Sequence, residues 1–288
     1  MSNLNKENME NRDDVLDFIK KLKPMEAKKS KVQVWAELEK MMEQPFPEQE
    51  KVRNLSLRNW SLAAILVLLV SLTILSVMRF YTKNVVAEGG EQAMAYLPDG
   101  SKIKLNSKSE LSYHPFWWSF NREVTLEGEG FFEVKKGKKF TIVSAQGKTR
   151  VLGTSFNIFA RNKNYQVTCI TGKVKVSNSG DDDEVIITPN QMVILNQNGK
   201  LISNSNIDAK IALDWTEGKF IFTQEPLKNV LAEIGRRYGV EIENIDNLNE
   251  PFTGYFNKQK DIKNVLNIVS KPFNIEYKKL PSGAYTIQ

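Results

Sequence analysis

The sequence holds one cysteine, Cys169, and one histidine, His114, among 288 residues. A lone thiol forms no intramolecular disulfide, so no covalent framework staples the fold. A lone imidazole rules out metal sites that need two or more histidines and confines any Ser-His-Asp arrangement to His114. Cys169 falls in an apolar, strand-like run and reads as a buried, inert thiol. Proline and glycine are also sparse, at 10 and 16 residues, which excludes collagen-like and low-complexity chains. Charge of one sign is missing as well. The net +6 divides as 12 basic against 11 acidic residues in 1–58, 18 against 15 in 79–217 and 10 against 8 in 218–288. Nucleic-acid binders gather basic residues on one face, so direct nucleic-acid binding is not expected.

Catalytic patterns are missing too. Gly153-Thr154-Ser155 matches a nucleophile elbow only to its third position and lies between strands rather than at a strand-to-helix turn. Gly128-Glu129-Gly130 lacks the third glycine and the following helix of a dinucleotide loop, and reads as a strand bend. The acidic run Asp181-Asp182-Asp183-Glu184 lacks the spaced ligands and the glycine of a calcium loop, and reads as a solvated loop tip. The expectation is a protein that is not an enzyme, with no catalytic residues, no metal and no cofactor.

What is present divides the chain. Residues 59–78 carry no charge over 20 positions, enough helix at about 1.5 Å per residue to span roughly 30 Å of hydrocarbon. Trp60 and the pair Phe80-Tyr81 stand at its two ends, bracketed by Arg58 and Arg79, as interfacial rings and cations do. The run starts too far from the N-terminus for a cleaved signal and reads as an anchor. Lys40, Lys51, Arg53 and Arg58 outnumber Arg79 and Lys83 near the ends, which favours the N-terminus inside.

The inside part, residues 1–58, reads as two short helices. The first has Val15, Phe18, Ile19 and Leu22 on one face between Asp13 or Asp14 and Pro24. The second follows Ser30, aligns Val34, Trp35, Leu38, Met41 and Met42, and ends before Pro45 and Pro47. Two such helices bury too little apolar area to fold alone. Either they pack on each other, or a partner protein covers the stripe.

Outside, residues 79–92 read as a linker with a hinge-like Gly89-Gly90. Residues 93–205 read as an all-β domain, a two-sheet sandwich, a roll or a solenoid-like stack, with strands and turn signals every eight to twelve residues. Its first hairpin turns at Pro98-Asp99-Gly100. Residues 218–288 repeat at an offset of 35: Pro226-Leu227-Lys228-Asn229-Val230-Leu231 aligns with Asp261-Ile262-Lys263-Asn264-Val265-Leu266. Two βαβ units then form an α+β domain with helices on one sheet face.

Three strings in the β-domain carry a resemblance. They are Leu97-Pro98-Asp99-Gly100-Ser101 with Leu105-Asn106, the run Arg122 through Val134 containing Glu127-Gly128-Glu129-Gly130-Phe131-Phe132, and Val151-Leu152-Gly153-Thr154-Ser155-Phe156-Asn157. Together they resemble the FecR family of anti-sigma factors. The C-terminal segment, with Phe252-Thr253-Gly254-Tyr255-Phe256, is similar to the small domain that ends many family members. Its paired repeat also resembles the short N-terminal domains of secretins and TonB-dependent transducers.

The resemblance implies a single-pass inner-membrane protein. A cytoplasmic N-terminus binds an extracytoplasmic-function sigma factor, and a periplasmic C-terminal part receives a signal from an outer-membrane TonB-dependent receptor. Family members carry a tryptophan-bearing cytoplasmic helix, usually within a longer region; Val34-Trp35-Ala36-Glu37-Leu38 matches that feature. The expected sigma-factor contacts are Val34, Trp35, Leu38 and Met41, and the expected receptor contacts are Phe252, Tyr255 and Phe256, through strand addition at an exposed edge. The alternative from the residues is a membrane-anchored envelope protein that holds polysaccharide on Phe116, Trp117, Trp118 and Phe120 beside His114.

Overall fold

The computed structural model describes residues 17, 19–21, 29–43 and 57–288. Of the first inside helix only residues 17 and 19–21 are described, so Val15, Phe18 and Leu22 of its expected face, with Pro24, Pro45 and Pro47, lie outside the described residues. The chain divides into two compact units, Met1–Val67 and Leu68–Gln288.

In the first unit, helix α1 (Lys31–Met42) starts where Ser30 caps it. Ser30 Oγ accepts from Gln33 N at 3.3 Å, and Gln33 Oε1 accepts from Ser30 N at 3.0 Å. This reciprocal box satisfies two N–H groups that a helix start leaves unpaired. Helix α2 (Leu57–Phe80) runs on past the first unit into the second. Its Trp60–Phe80 stretch has a mean hydropathy of 2.6 and is long and apolar enough to cross a membrane.

Among the described residues, α2 is followed by thirteen strands: β1 (Lys83–Ala87), β2 (Ala93–Tyr96), β3 (Lys102–Leu105), β4 (Ser109–Tyr113), β5 (Arg122–Glu133), β6 (Phe140–Ser144), β7 (Gly147–Val151), β8 (Ser155–Arg161), β9 (Asn164–Thr171), β10 (Val174–Asn178), β11 (Glu184–Ile187), β12 (Gln191–Leu195) and β13 (Leu201–Ser205). They form two sheets that share β5. Its first half pairs with β4 and, in parallel, with β6, extending one sheet in the order β1-β4-β5-β6-β7-β10-β11. Its second half pairs with β3 and β8, extending the other as β2-β3-β5-β8-β9-β12-β13.

The strand crosses between sheets at Gly128, where φ is +108°. A Cβ there would meet Ser109 Oγ at 2.5 Å, so only glycine fits. Ile103, Leu105, Leu111, Leu126, Phe140 and Ile158 from both sheets fill one common core, within which the rings of Phe132 and Phe156 stack at 5.1 Å. Cys169 is buried there, and burial pushes its thiol up to about 11.

Two expectations change here. Residues 79–92 are not a free linker, because Lys83–Ala87 forms the edge strand β1 on β4. Gly89-Gly90 is not a hinge. Gly90 N donates to Arg236 O at 2.8 Å, and a Cβ on Gly239 would stand 2.6 Å from Gly89 O. The glycines let two backbones touch, which fixes this stretch to the C-terminal part.

A 3-10 segment (Ala209–Glu217) leads to β14 (Lys219–Pro226), α3 (Leu227–Tyr238), β15 (Ile242–Glu243), β16 (Pro251–Asn257), α4 (Ile262–Ser270), β17 (Tyr277–Lys279) and β18 (Tyr285–Ile287). The repeat is real, but its units are not βαβ crossovers within one sheet. The two leading strands, β14 and β16, pair antiparallel with each other. The two trailing strands, β15 and β17, flank β18 in a second sheet. Leu231 and Ile234 of α3 and Val265 and Leu266 of α4 close the core over both.

Candidate partner-binding surfaces

Helix α1 buries none of its residues. At 100° per residue, Val34, Trp35, Leu38 and Met41 fall within an arc of about 120°. All four are exposed, Trp35 at 69%. On the polar side Lys29 Nζ bonds Glu37 at 2.6 Å. The result is a capped helix with a bare apolar stripe.

The residues expected to meet a receptor do not lie together on the surface. Phe252 is 5% and Phe256 7% exposed, whereas Tyr255 is 61% exposed. Strand alternation turns the two phenylalanines into the core, where Phe256 stacks on Phe220 at 5.0 Å, and leaves Tyr255 facing out. This corrects Phe252 and Phe256 as contact residues. Among the described residues β14 and β16 pair only with each other, so each keeps one unpaired edge. The flat-ring platform changes as well: Trp118 is buried against Tyr113 and Phe140, and Phe116, Trp117 and Phe120 remain outside it.

In the acidic run, Asp181 is held by Lys148, Arg150 and Ser177, which keep its carboxyl well below the ordinary carboxylate range. Asp183 accepts from Leu201 N at 2.7 Å. These carboxylates tie the β10–β11 turn to β7 and to the start of β13.

One cluster was not anticipated. Glu129 of β5 is buried between the β-domain and the C-terminal part, where Asn106 Nδ2 donates to it at 2.7 Å and Asn157 Nδ2 at 3.0 Å. Asn106 also donates to Glu233 of α3 at 3.2 Å, and Trp215 Nε1 donates to Asn157 Oδ1 at 3.2 Å. Burial, then the charge of Glu233, pushes the Glu129 carboxyl up to about 7, against the two asparagines and Arg161. Nearby, Lys104 Nζ reaches Thr216 O at 2.6 Å and Gln92 Nε2 reaches Trp215 O at 2.8 Å. The arrangement is a polar seam, with no nucleophile and base facing each other. Asn106, Glu129 and Asn157 come one each from the three strings singled out in the sequence, so polar residues recurring inside those strings were the available signal.

Residues 83–175 match the family described as FecR protein, and residues 219–286 match FecR, C-terminal. The chain belongs to the FecR family. Glu129 and both asparagines lie in the first FecR match and Glu233 in the second, so the seam ties the two family regions together. A candidate anti-sigma factor from Parabacteroides distasonis ATCC 8503, solved at 2.50 Å, is 27% identical with a TM-score of 0.65. The similarity covers 72% of this FecR-family chain and 98% of that one. A second structure of that description, at 1.65 Å, gives the same values. Among curated proteins nothing matches.

Proposed function

We propose that this protein is an anti-sigma factor and transmembrane signal transducer, regulatory rather than catalytic. Helix α1 holds an extracytoplasmic-function sigma factor at the inner membrane through Val34, Trp35, Leu38 and Met41. Residues 59–78 cross the membrane, with the N-terminus cytoplasmic and the C-terminus periplasmic. The periplasmic domains, residues 93–205 and 218–288, receive a signal from an outer-membrane TonB-dependent receptor.

The observation that carries this reading is the uncovered apolar arc on a well-capped helix. An exposed stripe of that kind marks an interaction site, and in sequence it precedes the membrane-length helix, whereas both FecR matches follow it. The solved relative described as a candidate anti-sigma factor supports the same role. Co-purification from membranes tests it. The cognate sigma factor should accompany the wild-type chain and be lost from the Trp35→Ala/Leu38→Ala variant; equal recovery from both would refute the α1 interface.

For the receptor side, Tyr255 and the free edges of β14 and β16 are the proposed contact. Tyr255→Ala should reduce ligand-dependent induction while membrane insertion and sigma-factor capture persist. Unchanged induction would move the contact elsewhere.

A further inference from the structure

The end of the β-domain next to α2 combines exposed aromatics with a cluster of lysines. Thr82 alone separates Tyr81, still bonded to the helix through Val77 O, from β1. Lys83 pairs with Tyr113, Tyr113 with Val124, and Arg122 with Phe140. The β4–β5 connection, residues 114–121, and the residues leading into β6 therefore emerge from the same end of the sheet as α2.

The first connection packs on the helix exit. Tyr81 and Phe116 have ring centroids 5.5 Å apart, the Arg79 guanidinium lies 5.3 Å from the Trp117 ring, and Trp117 and Phe120 stand 4.7 Å apart. Phe120 is nonetheless 78% exposed. Beside it, Lys135, Lys136, Lys138 and Lys139 are exposed within five residues. Arg122 fixes their loop, donating from Nη2 to Lys135 O at 3.0 Å and from Nη1 to Lys138 O. Arg122 also pairs with Asp99, so that carboxylate does not offset the lysines.

We infer that this end of the β-domain docks on the headgroup layer of the bilayer that holds α2, with Phe116 and Phe120 in the interface and the lysine loop on anionic phospholipid. The inference rests on the reading of α2 as a membrane span. Trp60–Phe80, 21 residues long, spans about 30 Å and ends at the hydrocarbon edge. The headgroup layer adds roughly 5–8 Å per side. Phe116, 5.5 Å from Tyr81, and Trp117, 5.3 Å from Arg79, stand at that depth with Phe120 packed on Trp117, where aromatic side chains partition. Basic loops add attraction to an anionic lipid surface.

The test uses the full chain in proteoliposomes, on a Cys169→Ala background, with an environment-sensitive fluorophore on one introduced cysteine. Phe120→Cys reports the loop. Ala145→Cys reports the β6–β7 turn at the far end of the same strands, and Val70→Cys reports the span. Lipids spin-labelled near the headgroup should quench most of the emission at 120 and leave 145 unaffected. Quenching at 120 should deepen when phosphatidylglycerol is added to phosphatidylcholine, and that increment should vanish when the four lysines become glutamine. If 70 is buried in acyl chains but 120 behaves as 145 does, docking is wrong and the span stands. An increment indifferent to the lysines would overturn their role. If 70 is also exposed to water, both the span and the docking fall.

Discussion

Two helices of this protein have the same length and opposite fates. Helices α1 and α3 each contain 12 residues, yet α3 buries Leu227, Val230, Leu231 and Ile234 and α1 buries nothing. Their local chemistry runs the other way. α1 has a complete capping box, whereas the α3 N-cap is Pro226, with no side-chain bond. Helix α3 is held by the core it covers. α1, too short to be stable on propensity alone, depends on its cap and on whatever covers its stripe. The comparison teaches that an amphipathic pattern specifies a face to be covered and leaves open whether the chain itself supplies the cover.

The difference can be tested by truncating matched leucines. Leu231→Ala should cost about 2–5 kcal/mol of folding stability, read as a lowered Tm in detergent. Leu38→Ala should leave folding stability within about 0.5 kcal/mol of wild type, and Tm nearly unchanged; an equal loss at both positions would mean that α1 is packed within the chain. Trp35→Ala should weaken sigma-factor capture by about 2 kcal/mol, roughly 30-fold in Kd, measured by titration of the purified sigma factor. Ser30→Ala removes the cap of α1 without touching the stripe, and should weaken capture by about 1 kcal/mol through lost helix stability. No change would show that the partner folds the helix unaided.

The smallest effect concerns the polar contact that α3 makes through Glu233. A Glu129 carboxyl at about 7 in the native state, against roughly 4.3 unfolded, binds its proton more tightly when folded. Stability from this group is therefore fully present below about pH 4.3 and is lost as pH rises towards 7. Glu233→Gln removes the neighbouring charge, lowers the native value and should reduce the stability lost over that window by up to about 1 kcal/mol, read as a shallower fall of Tm with pH. An unchanged slope would mean that Glu233 does not load Glu129.

Much of this architecture is legible in the sequence. Period-two alternation marked most strands, the 35-residue offset marked α3 and α4, and the uncharged run marked α2. What escaped depended on contacts distant in sequence. β1 reads as linker in the sequence because Val85, Val86 and Ala87 acquire a strand's role only when β4 lies beside them. β18 is three residues long and is built by its neighbours, β15 and β17. Phe252 and Phe256 looked like contact residues because aromatic strands suit both cores and interfaces, and only register decides which. Glu129 lay in a string already noted, but its partner Glu233 is more than a hundred positions away. Of the proposed sigma-factor contacts, the helix and its stripe were legible from spacing and capping alone.

The short join between α2 and β1 has a mechanical consequence. With Thr82 alone outside regular backbone pairing, and its Oγ1 3.3 Å from His114 Nδ1, the join has no slack in which to swivel. A sideways pull on the β-domain would act as torque on α2, with β1 as the lever arm, and a loose tether would absorb the same pull without tilting anything.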